Sequence, residues 1–167
     1  GIEELAKFHD INYVKALIKA ETDQSLSESL KIKFNIGIGN NPIFKEVFSR
    51  PASAVKASIE AVEMIATQKA NKILNISGGT HHGRKSQAYG FCFLNDCVLG
   101  ILKAIELGFS KILYVDLDAH HCDGVQDVFV NNDKVTVISI HEENRWPKTG
   151  TIDDCCLLYT SDAADDG

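Results

Sequence analysis

Apolar residues recur first at helical spacing and later in short unbroken runs. "IEELAKFHDINYVKALIKAE" (2–21) carries the helical period, with His9-Asp10 as a break between two short helices. "SLSESLKIKFNIGIGNNP" (25–42) is rich in Ser, Gly and Asn and reads as a loop with a short extended piece near Phe34–Ile38. Ser53–Asn71 holds the strongest helical stripe, through Val55, Ile59, Val62 and Ile65. "KILNISGG" (72–79) then reads as a short buried strand ending in glycines. "LNDCVLGILKAIELG" returns as a helix stopped by Gly108, followed by a strand in "KILYVDLD" (111–118). "GVQDVFVNN" predicts a short helix and "KVTVISIH" (134–141) a third strand. Strand alternating with helix predicts an α/β protein with a parallel, doubly wound sheet.

Composition adds limits. With 167 residues the chain can bury a core but is short for a two-domain enzyme. No window reaches the apolar length of a membrane span, and the first residues form no secretory signal. A formal charge of -6 offers no basic footprint for nucleic acid. Five cysteines without a C-x-x-C pair argue against a disulfide framework or a cysteine zinc site and for a reducing compartment, and the absence of targeting features makes a cytoplasmic location the default expectation. The chain opens on Gly1, which reads as a truncated start. Its last residues, "CLLYTSDAADDG", resemble the translation of a transposase-type sequencing adapter and hold three of the acidic residues. The expected organisation is a partial catalytic domain over 1–154 and a non-native tail over 155–167.

Chemistry concentrates where two of the expected strands end. In a parallel sheet, functional groups gather at the carboxyl ends of strands. Along an extended strand Asp116, Asp118 and, if the extension continues, His120 face one side. Two carboxylates and an imidazole together are costly unless a cation neutralises them. That mixed set suits zinc or ferrous iron better than magnesium or calcium. In the other loop, Gly78 and Gly79 permit close backbone approach before His81 and His82. Those histidines can exchange protons beside a metal-bound water, oriented by Asp116 and Asp123. Taken singly, a loop histidine pair is ordinarily solvated, and a D-x-D names no reaction. Both at successive strand ends are much less expected by chance, and a receiver-type phosphoacceptor leaves the four histidines unexplained.

"GGTHHGRKSQAYGFCFLND" and "ILYVDLDAHHCDGVQDVF" resemble the signature blocks of the zinc-dependent histone deacetylase superfamily. That group includes bacterial acetoin-utilisation-type proteins and acetylpolyamine amidohydrolases. "FHDINYVKAL" and "VISIHEENRWPKTG" are similar to it as well. The resemblance implies the arginase/deacetylase type of sheet, incomplete at the C-terminus and at the N-terminus. It implies removal of an acetyl group from an amine, as in acetyl-lysine or an acetylpolyamine, by zinc-activated water. By position, Asp118 and His120 match two of three zinc ligands. His81 and His82 match the tandem catalytic histidines, with Asp116 and Asp123 as their partners. The resemblance favours His82 as main base and His81 as electrostatic or acid partner. Gly90 and Phe91 match the substrate-channel wall. Asp116, Asp118, His120, Ser139 and Ile140 match a structural potassium site.

The chain also departs from that pattern. The third zinc ligand and the oxyanion-stabilising tyrosine belong downstream of Asp154, so the chain as given is expected to be inactive. Asn40 stands where many relatives place an aspartate that grips substrate amides. Cys122 replaces a usual glycine, at a cost only if its φ is positive. A ureohydrolase of the arginase type is disfavoured, because His121 and Cys122 separate His120 from Asp123 where that family has one residue. A catalytically silent acyl-lysine-binding module is the alternative from another class. Expected partners are an acetylated protein or small amine, with neither nucleic acid nor membrane.

Overall fold

A computed structural model describes residues 1–151. The elements run α1 (Ile2–Leu5), α2 (Ile11–Asp23), α3 (Glu28–Phe34), α4 (Ser49–Ala66), α5 (Asp96–Glu106), β1 (Ile112–Asp116), α6 (Asp123–Phe129) and β2 (Val135–Ser139). β1 and β2 pair in parallel, with Ile112 opposite Val135 and Asp116 opposite Ser139. The crossover between them contains α6, as a parallel pair requires. α4 lies chiefly against α5, and α6 against β2. The polar ends of both strands are thereby brought to one rim.

Local chemistry sets the helix limits. The Asp10 carboxylate accepts from the N–H groups of Asn12 and Tyr13, which starts α2 at the break expected from His9-Asp10. Tyr13, Val14, Ala16, Leu17 and Ala20 form its buried stripe. Asn95 caps α5 through Val98 N–H, and Gly108 (φ +93°) follows its end. α4 begins earlier than its apolar stripe predicts. Glu21 accepts from the Phe48 and Ser49 N–H groups and from the Ser49 hydroxyl, while Pro51 sits harmlessly in the first turn. It also ends earlier, at Ala66, with Gln68 in the left-handed region. Val55 and Ile59 of the stripe are buried, but Ile65 is exposed.

Two expectations are corrected. The Ser-rich segment is not all loop, because α3 forms there. Phe34 is buried with its ring 5.7 Å from Tyr13, and Asn35 (φ +54°) ends the helix. Burial of this one aromatic outweighs the polar composition around it. The expected strand at 72–79 is absent. Leu74 and Ile76 are 84 % and 88 % exposed, and among the described residues no strand lies alongside to take up the backbone groups. An apolar run becomes a strand only where a partner satisfies its N–H and C=O groups.

Candidate active site

The loop between residue 78 and α5 carries His81 and His82, both buried, with ring centroids 4.0 Å apart. Its shape is set from beneath. Asp96 accepts from Gly79 N–H (3.0 Å), Thr80 N–H (2.8 Å), the Thr80 hydroxyl (2.6 Å) and the Ser58 hydroxyl (2.7 Å). Asn95 donates its amide to the carbonyls of His81 and Gly83. His9, also buried, accepts from Asn95 N–H and donates to the Arg84 carbonyl, each at 3.0 Å. Burial holds the His9 imidazole down at about 4, so it is neutral and its tautomer is set by these two bonds. Gly124 lets α6 approach: a Cβ there would stand 2.4 Å from the His81 carbonyl.

Each of the tandem histidines meets one carboxylate. His81 Nδ1 lies 2.7 Å from Asp116 Oδ2, and His82 Nδ1 lies 2.6 Å from Asp123 Oδ1. A carboxylate only accepts, so each Nδ1 carries the proton and donates. In the neutral rings Nε2 is then the basic atom. Burial opposes charge on His81, but the hydrogen bond and charge of Asp116, with Asp118 and Asp123 beyond, raise its pKa. Burial would lift Asp116, yet donation from His81, Tyr114 and Asp118 N–H holds it at about 2.

Asp118 and His120 are also neighbours, by a route different from the one expected. Extension ends at Asp116. Asp118 N–H then bonds Asp116 Oδ1 (3.0 Å) and His120 N–H bonds Asp118 Oδ1 (2.8 Å), two successive side-chain-closed turns. His120 Nδ1 lies 2.9 Å from the same Asp118 oxygen. The pair is partly solvent-facing and joined by hydrogen bonds, and its donor chemistry suits zinc as two of the three protein ligands of a catalytic site. Among the described residues no group of three His, Cys, Asp or Glu side chains converges on one point.

The other residues implied by the resemblance fall around this centre. Asp116, Asp118, His120, Ser139 and Ile140 cluster where β1 and β2 end; Ile140 N–H donates to the Asp116 carbonyl at 2.9 Å. Gly90 (φ +54°) and Phe91 (φ +65°) form a turn on the rim, and Phe91 is 69 % exposed. Asn40 is exposed. Cys122 has φ −78°, so its Cβ carries no conformational cost, and burial pushes its thiol up to about 12.

Several contributors were not anticipated. Arg84 Nη2 donates to Asp123 Oδ2 at 2.5 Å and also pairs with Asp127. Tyr114 donates to Asp116 Oδ2 at 2.5 Å. Asn41, buried, accepts from Phe91 N–H and donates to the Ala88 carbonyl, holding the rim turn. Trp146 lies with its ring 4.8 Å from His82, 4.9 Å from Tyr89 and 5.8 Å from His120. Arg84 stands two residues after His82 and was open to notice. The others carry no pattern along the chain that points to a site.

Known proteins resemble both the sequence and this arrangement. The histone deacetylase domain model matches residues 1–161, past Asp154. Histone deacetylase 8 of Xenopus tropicalis is 37 % identical over 159 residues, covering 94 % of this chain and 42 % of that protein. Human histone deacetylase 1 is 34 % identical over 91 % of this chain and 32 % of its own length. The chain thus spans under half the length of these relatives. A crystal structure of an HDAC homologue complexed with SAHA superposes with a TM-score of 0.84 and 39 % identity, over 91 % of this chain and 41 % of that one. An HDAC homologue from Aquifex aeolicus is 38 % identical with the same score. The parallel pair β1–β2 with its flanking helices is therefore part of the deacetylase-type α/β fold, and the chain belongs to the histone deacetylase family.

Proposed function

We propose that the protein to which this chain belongs hydrolyses an acyl-amine amide, such as acetyl-lysine or an acetylpolyamine, with a metal ion held in part by Asp118 and His120. The observation carrying this reading is the tandem pair itself. Two buried imidazoles, each fixed by its own aspartate, stand beside a carboxylate–imidazole donor pair. When bound there, zinc or ferrous iron would supply a Lewis acid and a water of lowered pKa.

The chain's own residues do the rest. His82 Nε2 takes a proton while Asp123 steadies the charge that forms on the ring. His81, whose pKa is raised by Asp116, serves as the cationic partner that can return a proton to the leaving amine. Gly90 and Phe91 wall the acyl-amine stem, and the cluster at the strand ends, Asp116, Asp118, His120, Ser139 and Ile140, suits a structural potassium ion through its oxygens. The domain organisation as 1–154 with a foreign tail from 155, and a cytoplasmic site of action, belong to the same proposal. Among the described residues no helix is long and apolar enough to cross a membrane.

With two metal donors among the described residues, the chain as given should bind zinc weakly and turn over poorly. The test has two stages. Long-read sequencing of the source gene across codon 154 shows whether the frame continues. The longest natural product is then assayed on an acetyl-lysine peptide and an acetylpolyamine, with and without chelator. The expected result is hydrolysis that chelation abolishes and zinc or ferrous iron restores. Binding of SAHA with no hydrolysis under any metal would overturn the hydrolase reading in favour of a silent acyl-lysine-binding module.

A further inference from the structure

Two histidines stand apart from the proposed chemistry, and their geometry has its own logic. His121 lies beside the metal-donor turn and His141 just beyond β2, with ring centroids 4.8 Å apart. His121 Nε2 faces Gln126 Oε1 at 2.7 Å and its Nδ1 faces the Thr149 hydroxyl at 2.8 Å. His141 Nε2 donates to the Gly150 carbonyl at 3.0 Å and its Nδ1 accepts from the Ser139 hydroxyl at 2.9 Å. Every ring nitrogen of the pair is therefore engaged, and two of the four bonds reach the far end of one loop. Gly150 sits between the rings. A Cβ there would stand 2.5 Å from His121 Cδ2 and 2.6 Å from His141 Nε2, and its φ of +73° is a glycine conformation.

The segment closed in this way, 141–150, contains Trp146, the only tryptophan of the chain. The indole reaches back over the site. A Cβ on Gly90 would meet Trp146 Cη2 at 2.4 Å, and the indole lies edge-on to both His82 and His120. The middle of this ten-residue loop is exposed, and fixing its ends lowers the entropy cost of holding the indole in one place.

We infer that His121 and His141 are positioning residues, a clasp around Gly150 that holds Trp146 against His82. The clasp does not depend on the reading proposed above. Neither histidine touches the reacting atoms in this role, and each acts through Trp146.

The single indole gives a readout that needs no turnover. On the full chain, His121→Ala and His141→Ala should each red-shift the tryptophan emission. Acrylamide quenching should rise roughly twofold, because Trp146 is 38 % exposed in place and becomes freely mobile. Glu143→Ala, on the exposed part of the same loop, should change neither. General destabilisation would lower the melting temperature without moving the emission of the folded state. Should a histidine variant lose its helical circular dichroism, Thr149→Val removes one clasp bond while keeping side-chain shape, and the same red shift is expected of it. Native circular dichroism with unchanged emission and quenching in the folded variants would overturn the clasp. Intact clasp behaviour together with no amide hydrolysis by the longest natural product would sink the hydrolase reading alone.

Discussion

His81 with Asp116 and His82 with Asp123 look alike in sequence, yet their surroundings differ. Asp116 Oδ2 accepts from both His81 and the Tyr114 hydroxyl, so its second donor is neutral and shares one oxygen with the imidazole. Asp123 divides its oxygens. Oδ1 serves His82 and Gly124 N–H, while Oδ2 is held by the Arg84 guanidinium. A phenol leaves the charge of Asp116 available to stabilise an imidazolium, and the pKa of His81 is raised accordingly. The guanidinium gives Asp123 a cationic neighbour that Asp116 lacks. Under the proposed chemistry this contrast favours His81 as the cation and His82 as the base. The lesson is that the third member decides what a histidine–aspartate pair can do.

The comparison breaks most sharply at Arg84. Asp123 is 1 % exposed, so Arg84→Ala leaves a buried carboxylate short of its cation and should cost about 3 kcal/mol. Urea denaturation measures this, and Arg84→Lys should recover only part of it because the fork that reaches both Asp123 and Asp127 is lost.

A perturbation shared by both pairs comes next, through His9 beneath their loop. Its folded pKa is depressed from 6.5 to about 4. The unfolded chain then binds a proton that the folded chain refuses. Stability is full above about pH 6.5 and falls as the pH drops toward 4, by about 3 kcal/mol in all. Replacing His9 by Gln should flatten that part of the pH–stability curve, read by denaturation at fixed pH values.

Tyr114→Phe sharpens the contrast from the other side. Losing a hydrogen bond to a charged carboxylate should cost about 2 kcal/mol. With it, the pKa of Asp116 should rise from about 2 toward the ordinary carboxylate value of 3.8. Asp116 contributes stability above pH 3.8 that is lost as the pH falls through 2, and this acid limb should move upward in the variant. The opposite limb belongs to His81, whose contribution is present below 6.5 and lost as the pH rises through its raised folded value. Histidine-selective NMR should show the His81 ring signals shifting while those of His82 stay in place.

The smallest effect is expected at Asp127. It is largely exposed, so Asp127→Asn should change stability by less than about 1 kcal/mol. A larger loss in denaturation would mean that Arg84 depends on Asp127 for its alignment on Asp123.

Much of this was legible along the chain. The break at His9-Asp10 and the helix in "LNDCVLGILKAIELG" were found, the apolar runs at 112–116 and 135–139 became paired strands, and the two motif blocks lie with His81, His82, Asp116, Asp123, Asp118 and His120 at one rim. The helix starts and the Asp116–His120 turns depend on near neighbours in sequence: a cap needs a side chain beside its helix, and a turn needs the right residue two positions away. The segment at 72–79 failed because pairing, unlike periodicity, requires a second strand from elsewhere. The reach of Phe34 onto Tyr13, of Arg84 onto Asp123, of Tyr114 onto Asp116 and of Trp146 onto His82 was likewise decided by tertiary structure. Local residue order chose the donors and acceptors, but only packing brought the side chains that tune them within hydrogen-bonding and van der Waals range, where interactions of this kind have their strength.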